Sequence, residues 1–198
     1  MADQNIPTLK PRRVLIIDIN DEFKNPARGF DVQSISLKSI PQWCKSGEIE
    51  MRRIRIFNTD GSRMNHKQIA ETLTVILDSF WGGCLYIEDP KKFLHHSLPQ
   101  DIIGQICTQR HADCDVVMHF QFFQAIRQDA IWANLNLIRM HKFEDTIESN
   151  LNDITGDPNF LFIAEALVNN KFNEDDAKMR DYHVWIDKDR RKIFGEFS

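Results

Sequence analysis

The sequence has few cysteines, no long apolar run and no excess of positive charge. Its four cysteines, Cys44, Cys84, Cys107 and Cys114, include no C-x-x-C pair, which favours reduced thiols packed as small apolar groups in a cytosolic protein. No apolar stretch approaches the roughly 18 residues of a membrane-spanning helix. The net charge of −4 excludes a generally basic surface for nucleic acid, although a local basic face stays open. We therefore expect a cytoplasmic protein.

The length and composition favour one domain with an appendage. Hydrophobic residues make up 42% of the 198 residues, enough for a substantial core. Residues 1–11 are polar and contain two prolines, and we interpret them as a flexible leader. Residues 12–145 are predicted to form an α/β core, and residues 146–198 a C-terminal extension of one helix and a β-hairpin.

Strand and helix patterns alternate from residue 50 to residue 142. The clearest helix, 65–80, has apolar residues at spacings of three and four, a capping Asn65 and a terminating Gly82–Gly83 pair. The run RVLIIDIN (12–20) is typical of a buried strand with polar groups at its carboxyl end. Such alternation predicts a three-layer α/β fold, with a mostly parallel sheet and helices on both faces.

Two adjacent acids end one of the predicted buried strands. In GGCLYIEDP (82–90), four mostly apolar residues run directly into Glu88, Asp89 and a proline. In open parallel sheets chemistry gathers at the carboxyl ends of strands. There one carboxylate can coordinate a metal ion while the other orients or deprotonates a water molecule, a division that suits nucleotide hydrolysis. A strand that ends in a solvated turn has the same short pattern.

Three further polar residues follow the acid pair along the chain. The next predicted strand, VVMHFQ, ends in Gln121, whose side chain can sense a phosphate or hold a water molecule. Arg110 comes just before that strand, where it could reach a neighbouring subunit's site in a ring. Taken singly, Gln121 also fits a solvated strand end, and Arg110 a cation at a helix C-terminus. Arg139 either faces the phosphates or forms an ordinary surface ion pair.

These segments resemble a known family. LTVILDSFWGGCLYIEDP, LPQDIIGQICTQRHADCDVVMHFQ and IWANLNLIRMHK look like the C-terminal part of P-loop ATPases of the HerA–FtsK superfamily. More narrowly, they resemble its phage and mobile-element branch of DNA-packaging and Zot-like assembly ATPases. RVLIIDINDEF is similar to that family's second strand, which follows the P-loop helix. The resemblance covers about residues 12–142 and implies a P-loop NTPase fold of the RecA-like (ASCE) type.

The resemblance also implies roles for individual residues. Glu88 would bind Mg²⁺ and Asp89 would act on the attacking water, as in a Walker B motif. Gln121 would match the sensor glutamine, and Arg110 the arginine of the family's R-H segment. The Glu-Asp order replaces the commoner Asp-Glu order, so the two acids could share or exchange roles. The implied cofactors are ATP and Mg²⁺, and the implied partners are double-stranded DNA and other subunits of a homo-oligomeric ring, in the cytoplasm of a bacterial host.

One defining family element is absent from the sequence. The eight glycines never form G-x-x-x-x-G-K-[ST], the loop whose backbone amides cradle the phosphates. By resemblance, the strand before that loop belongs in the middle of the sheet, where its loss would expose two rows of backbone groups at ~1–3 kcal/mol for each buried one. Three alternatives follow from the missing strand: the chain is a fragment, the sheet has closed around the gap, or another chain supplies the strand.

Two functions follow from these observations. In the first, the chain is an ATPase-family core that binds ATP weakly and hydrolyses it poorly without the loop. In the second, it is a non-catalytic α/β binding or assembly module. The cations around residues 50–63, Arg52, Arg53, Arg55 and Arg63, either track DNA in a pore or protect a solvated edge strand.

Overall fold

A computed structural model gives the structure of the chain and describes most of its residues. These are residues 11–26, 29, 31–90, 100–121, 123, 129–142, 146–147, 158–174 and 182–195. The chain divides into two compact units, Met1–His119 and Phe120–Ser198. All four cysteines are free thiols, as the sequence predicts. None of the described helices is both long and apolar enough to span a membrane.

The first unit is built on a five-stranded parallel sheet. Its strands are β1 (Arg13–Asp18), β2 (Gln33–Ser34), β3 (Met51–Arg55), β4 (Gly83–Glu88) and β5 (Cys114–His119). They are ordered β2-β3-β1-β4-β5, and every pairing is parallel. Leu15, Ile17 and Leu85 of the two central apolar runs are fully buried, as expected for strands covered on both faces.

Three helices lie on one face of this sheet: α1 (Ile40–Ser46), α2 (His66–Ser79) and α3 (Gln100–Thr108). A capping box at Asn65 begins α2, as the sequence predicts. The rings of Trp43 and Phe80 stack at 6.0 Å and join α1 to the end of α2. The steps from β2 to β3, β3 to β4 and β4 to β5 run in one direction, so right-handed crossovers place all three helices on the same face.

The opposite face of the sheet carries residues 19–26 and 31–32, which belong to the connection between β1 and β2. The step from β1 to β2 runs in the reverse direction, so its connection crosses on the other side. The ring of Phe23 meets that of Tyr86 edge-on at 5.9 Å. Helices on both faces were predicted, whereas the described residues of this connection contain no α-helix.

The middle of the sheet is filled by the chain's own β1. This strand pairs with β3 on one side and with β4 on the other, with Ile17 opposite both Ile54 and Ile87. Of the three alternatives, the described strands agree with a closed sheet, because both rows of backbone groups on β1 are paired. The outermost strands of the described sheet are β2 and β5.

The second unit contains a three-stranded antiparallel sheet. It comprises β6 (Leu137–Met140), β7 (Val184–Asp187) and β8 (Lys192–Phe194), together with helices α4 (Asp129–Asn134) and α5 (Asn159–Glu174). Its core is formed by one face of the sheet and by buried residues of α5, Leu161, Ala164 and Val168. The C-terminal helix and the closing β-hairpin are confirmed.

The strand β6 has a different partner from the one predicted. The alternating pattern suggested a further parallel strand, whereas β6 pairs antiparallel with β7, with Arg139 opposite Trp185. The boundary between the two compact units accordingly lies after His119, whereas the predicted core extended to residue 145. The apolar alternation of LNLIRM defines a strand, but the pairing depends on a hairpin more than 40 residues later in the chain.

Lys188 ties the hairpin to helix α4. Its ammonium group donates to the carbonyl of Trp132 at 2.5 Å and to that of Ala133 at 3.4 Å, and it lies 5.3 Å from the centre of the Trp132 ring. Its main-chain N–H donates to Asn136 at 2.9 Å. Burial lowers the pKa of Lys188, and the charge of Asp189 opposes that shift. A cation near the last carbonyls of a helix is favourable.

We expect Gly83→Ala to destabilise the chain by about 1–3 kcal/mol through overpacking. A Cβ at Gly83 would lie 2.6 Å from the carbonyl oxygen of Arg13 and 2.9 Å from the ring of Phe80. The measurement is the free energy of unfolding in urea. Gly104→Ala is the matched control, because it lies in α3 with nothing within 4 Å of the added Cβ. The control should stabilise by about 0.5–1 kcal/mol; equal effects would contradict the packing at β1.

Candidate active site at the carboxyl edge of the parallel sheet

Glu88 ends β4 as a buried carboxylate with one oxygen uncommitted. The residue is 8% exposed, and its Oε2 has no hydrogen-bond partner within the described part of the chain. Burial raises the pKa of Glu88; hydrogen bonds from Asn20 oppose the shift, and the nearby carboxylates of Glu22 and Asp18 increase it. A buried acid with an open oxygen and acidic neighbours favours a cation.

The loop after β1 forms the second wall of this site. Asp18 is fully buried, and its carboxylate accepts hydrogen bonds from the main-chain N–H groups of Glu22 at 2.9 Å and Phe23 at 3.2 Å. These bonds fold the chain back over the end of β1. Asn20, within the loop, donates to Glu88 from both its side chain and its main chain.

Arg53 anchors the same loop from the neighbouring strand β3. Its Nη1 lies 2.8 Å from Asp18 and 2.6 Å from Asp21, and its Nε donates to the carbonyl of Val32 at 2.9 Å. The Nε of Arg55 adds an ion pair to Asp21 at 3.0 Å. Asp21 adopts a left-handed conformation with φ of 58°, which is uncommon outside glycine and is held here by its ion pairs.

The arginines of β3 therefore form ion pairs within the fold. Arg53 is 6% exposed, and Arg52 pairs with Glu50 at 2.7 Å. The alternative of a solvated edge strand is wrong, because β3 lies between β2 and β1. A DNA-tracking face built from Arg53 and Arg55 would have to break their ion pairs with Asp18 and Asp21.

Asp89 follows Glu88 in an unusual backbone conformation. Its φ is 43°, in the left-handed region, and the residue is 7% exposed. Aspartate tolerates this region better than most residues, and such conformations cluster at functional sites. The turn lets two adjacent acids leave the strand end in different directions. The two predicted site acids therefore lie together at the carboxyl edge of the sheet.

The other predicted site residues belong to other elements of the chain. Gln121 is exposed and follows β5 by two residues, in the second unit. Only the backbone of Arg110 is described; it belongs to a short 3-10 helix, Gln109–Ala112, at the amino end of β5. The carboxyl end of β5 lies beside Glu88, because His119 is its register partner. With about 3.3 Å per strand residue, Arg110 lies roughly 17 Å from the edge that holds Glu88 in the same chain.

Arg139 occupies the outer face of the second unit's sheet. Its guanidinium lies 3.2 Å from the Nδ1 of His183 and 5.7 Å from the ring centre of Trp185. Both contacts are within the three-stranded sheet, so the described environment of Arg139 is aromatic. A role at the phosphates stays a prediction.

The two acids fit a magnesium ion better than a closed all-protein metal site. No three His, Cys, Asp or Glu side chains of the described ranges come close enough together to hold a metal by themselves. Mg²⁺ is usually bound by one or two carboxylates, with waters and substrate phosphates completing its shell. Glu88, with its free buried Oε2, is the residue that would hold such an ion.

Comparison with solved structures gives a fold match. The genome packaging NTPase B204 from Sulfolobus turreted icosahedral virus 2, in complex with AMP, superposes with a TM-score of 0.50 at 12% identity over 93% of this chain and 81% of that one. The chain shares its fold with a viral genome-packaging NTPase. The same NTPase in complex with ATP-gammaS gives a TM-score of 0.46 at 10% identity, over 94% and 97% of the two chains. No protein-family model and no curated protein matches the sequence.

The match confirms the predicted α/β fold of P-loop NTPase type. Sequence reasoning did not assign Asn20 or Asp21 to the site, and it gave Arg53 a role in DNA tracking or edge protection instead of in anchoring the loop. One signal was present: two acids and an asparagine follow β1 directly in DINDE, at the same edge where β4 ends in acids.

Low pH should destabilise the loop after β1, because Asp21 becomes protonated and loses its ion pairs. Burial raises the pKa of Asp21, but hydrogen bonds from Lys24 and Arg53 and the charge of Arg55 outweigh that effect and lower it to about 2. A carboxylate with a lowered pKa stabilises the fold fully above its ordinary value of 3.8, and this stabilisation is lost as the pH falls towards 2. Asp21→Asn should therefore destabilise the chain at pH 7 and flatten the loss of stability between about pH 4 and pH 2.

The measurement is the free energy of unfolding in urea as a function of pH. Asp78→Asn is the control, since Asp78 is an exposed carboxylate on α2 that accepts from the side-chain amide of Gln105 at 3.1 Å. An acid limb equally steep in the wild type and in Asp21→Asn would show that the Arg53 network does not hold the loop.

Proposed function

We propose that the chain is the ATPase-family core of a DNA-packaging or DNA-translocating motor, with its nucleotide site at the carboxyl edge of the parallel sheet. The observation that supports this most is the buried Glu88 with an unpaired Oε2 beside Asp89, at the strand ends where such folds bind ligands. The packaging NTPase that shares this fold was solved in complex with AMP. We extend adenine-nucleotide binding to this chain as part of the proposal.

In this proposal the two acids divide the chemistry. Glu88 holds Mg²⁺, which would supply charge stabilisation for the phosphates when bound. Asp89 orients the attacking water and accepts its proton. Asn20 donates to Glu88 and keeps its carboxylate in place. Because the two acids are adjacent at the strand end, they can also exchange these roles.

We further propose that the chain alone hydrolyses ATP poorly. The sequence contains no G-x-x-x-x-G-K-[ST] motif. The loop after the central strand offers no substitute, because the amides of Glu22 and Phe23 already donate to the carboxylate of Asp18. Arg53, the neighbouring cation, is also paired with Asp18. An internal carboxylate thus occupies the groups that would otherwise face a phosphate.

The remaining roles require an assembly. Arg110, at the opposite end of β5, is proposed to act on a neighbouring subunit's nucleotide in a homo-oligomeric ring. Gln121 is proposed as the residue that senses the γ-phosphate, and Arg139 as a phosphate contact. Double-stranded DNA is the proposed substrate of the ring.

ATP turnover by the full chain tests the proposal directly. With Mg²⁺ in excess, the wild type should hydrolyse no faster than Glu88→Gln or Asp89→Asn. Brisk turnover that both substitutions abolish would overturn the proposed deficiency.

Magnesium-dependent binding of a fluorescent ATP analogue tests the site itself. Glu88→Gln should weaken binding of the analogue by about 10- to 100-fold, the loss of affinity expected when a residue that holds the metal site is changed. Glu71→Gln is the matched control, because Glu71 is an exposed acid on α2 with 65% of its side chain accessible. Glu88→Gln should unfold at the same or a higher temperature than the wild type, since an amide avoids the burial that raises the pKa of Glu88. Equal binding by both variants would refute the site.

The second candidate function is a binding or assembly module without catalysis. The loop after β1 favours this function, because its main-chain amides at Glu22 and Phe23 already donate to the carboxylate of Asp18. Neutralising Glu88, Asp89 and Gln121 together separates the two functions. A module would keep its oligomeric state and thermal stability in that variant, with or without ATP and Mg²⁺, whereas an ATPase core would lose any stabilisation that the nucleotide confers on the wild type.

A further inference from the structure

The three-stranded sheet of the second unit has two unlike faces. Ile138, Met140, Val184 and Ile186 point into the core and are at most 6% exposed. Residues between them in sequence point the other way, because side chains alternate along a strand. This outer face carries Leu137, Arg139, Trp185, Asp187, Lys192 and Phe194, with Asp187 opposite both Leu137 and Lys192 in register, and we name it the aromatic–basic face.

Aromatic rings and one guanidinium form a continuous row across this face. Arg139 lies opposite Trp185 in register, and Trp185 lies opposite Phe194. The guanidinium is 5.7 Å from the centre of the indole ring. Phe194 is 46% exposed, whereas buried aromatic residues of the same unit, such as Phe123, are 3% exposed.

Two histidines extend the row beyond the strand ends. His183 meets Trp185 edge-on at 6.0 Å, and it lies 5.2 Å from the ring of His141. The outer face thus offers flat rings on three adjacent chain segments. Flat rings on a sheet are suited to stacking of unpaired bases.

The hairpin at the edge of the face is positively charged. Residues 184–194 contain four cations, Lys188, Arg190, Arg191 and Lys192, and two acids, Asp187 and Asp189, for a net charge of +2 in a chain of net charge −4. Asp187 pairs with Arg190 at 3.7 Å, and Asp189 accepts from Asn136 at 2.8 Å. Arg191 and Lys192 are exposed beside the row of rings. This charge is complementary to phosphate.

We infer that the aromatic–basic face binds single-stranded nucleic acid, with bases stacked on Phe194 and Trp185 and phosphates held by Lys192 and Arg139. The spacing supports this occupant, because neighbouring strands lie about 4.8 Å apart and bases can stack on rings presented at successive strands. A duplex hides the base faces and would use only the cations. A protein partner of the same area would not require cations to alternate with rings. This inference is independent of the nucleotide site in the first unit.

Fluorescence anisotropy with labelled oligonucleotides tests the inference on the full chain. The probes are oligo(dT), oligo(U) and a duplex, each about 15 nucleotides long, which matches the footprint of a single binding domain. The wild type should bind a single strand more tightly than the duplex, and the dT and U arms show whether DNA or RNA is preferred. No binding of a single strand, or single-strand binding that Phe194→Leu leaves unchanged, would overturn the inference.

Two substitutions separate stacking from charge. Phe194→Leu should weaken binding to oligo(dT) by about 5- to 100-fold, the loss of one base–aromatic stack, and should leave the salt dependence unchanged. Lys192→Gln should reduce the slope of log affinity against log salt by about 0.7, the value for one phosphate contact on a single strand. Both residues are exposed, so far-UV circular dichroism and the unfolding temperature should match the wild type.

The matched controls lie in the first unit. Trp81→Leu removes an aromatic residue that is 36% exposed, and Lys67→Gln removes a cation whose side chain is 86% exposed. Neither should change binding. If the controls weaken binding as much as Phe194→Leu and Lys192→Gln, the effect is non-specific and the inference is wrong. If no oligonucleotide binds but Phe194→Leu abolishes self-association in sedimentation, the face is an interface between copies and the inference is also wrong.

Discussion

The first unit depends on one buried charge cluster. Asp18 lies fully buried at the end of the central strand, and burial of a carboxylate is tolerated only when it is paired and hydrogen-bonded. Arg53 supplies the charge and two loop amides supply the hydrogen bonds. Loss of Arg53 would leave an uncompensated buried charge, which typically costs about 3–5 kcal/mol. The cluster therefore fixes both the packing of β1 against β3 and the course of the loop over the strand end.

The same cluster shapes the electrostatics of the site. With its own charge matched by Arg53, Asp18 still faces Glu88, and together with Glu22 it raises the pKa of that residue. The site thus combines a structural ion pair, Arg53 with Asp18, with an acid, Glu88, that forms no ion pair within the described part of the chain. This contrast distinguishes the acid that supports the fold from the acid that is available for a ligand. Ion pairs that only support the fold can shift a pKa as much as the groups of an active site do. The unpaired Oε2 of Glu88 is therefore better evidence for a ligand site than the raised pKa of that residue.

Local features were predictable from the sequence, and long-range ones were not. Helix α2 follows from its apolar spacing and its capping box, which involve residues a few positions apart. The acid pair at the end of β4 was predictable because a buried strand and its carboxyl end are both local patterns. The role of Arg53 was not, since alternation in EMRRIRIF suggests an exposed cation and its partner Asp18 lies 35 residues away. The pairing of β6 failed for the same reason, because strand propensity does not specify a partner.

The link between Lys188 and helix α4 gives the second unit an intrinsic optical reporter. The ammonium group lies against the indole of Trp132, so detachment of the hairpin changes the electric field and the solvent around that chromophore. Tryptophan emission can therefore register partial opening of the C-terminal segment while the remaining sheet stays intact. The chain thus carries a natural means of distinguishing local fraying from global unfolding.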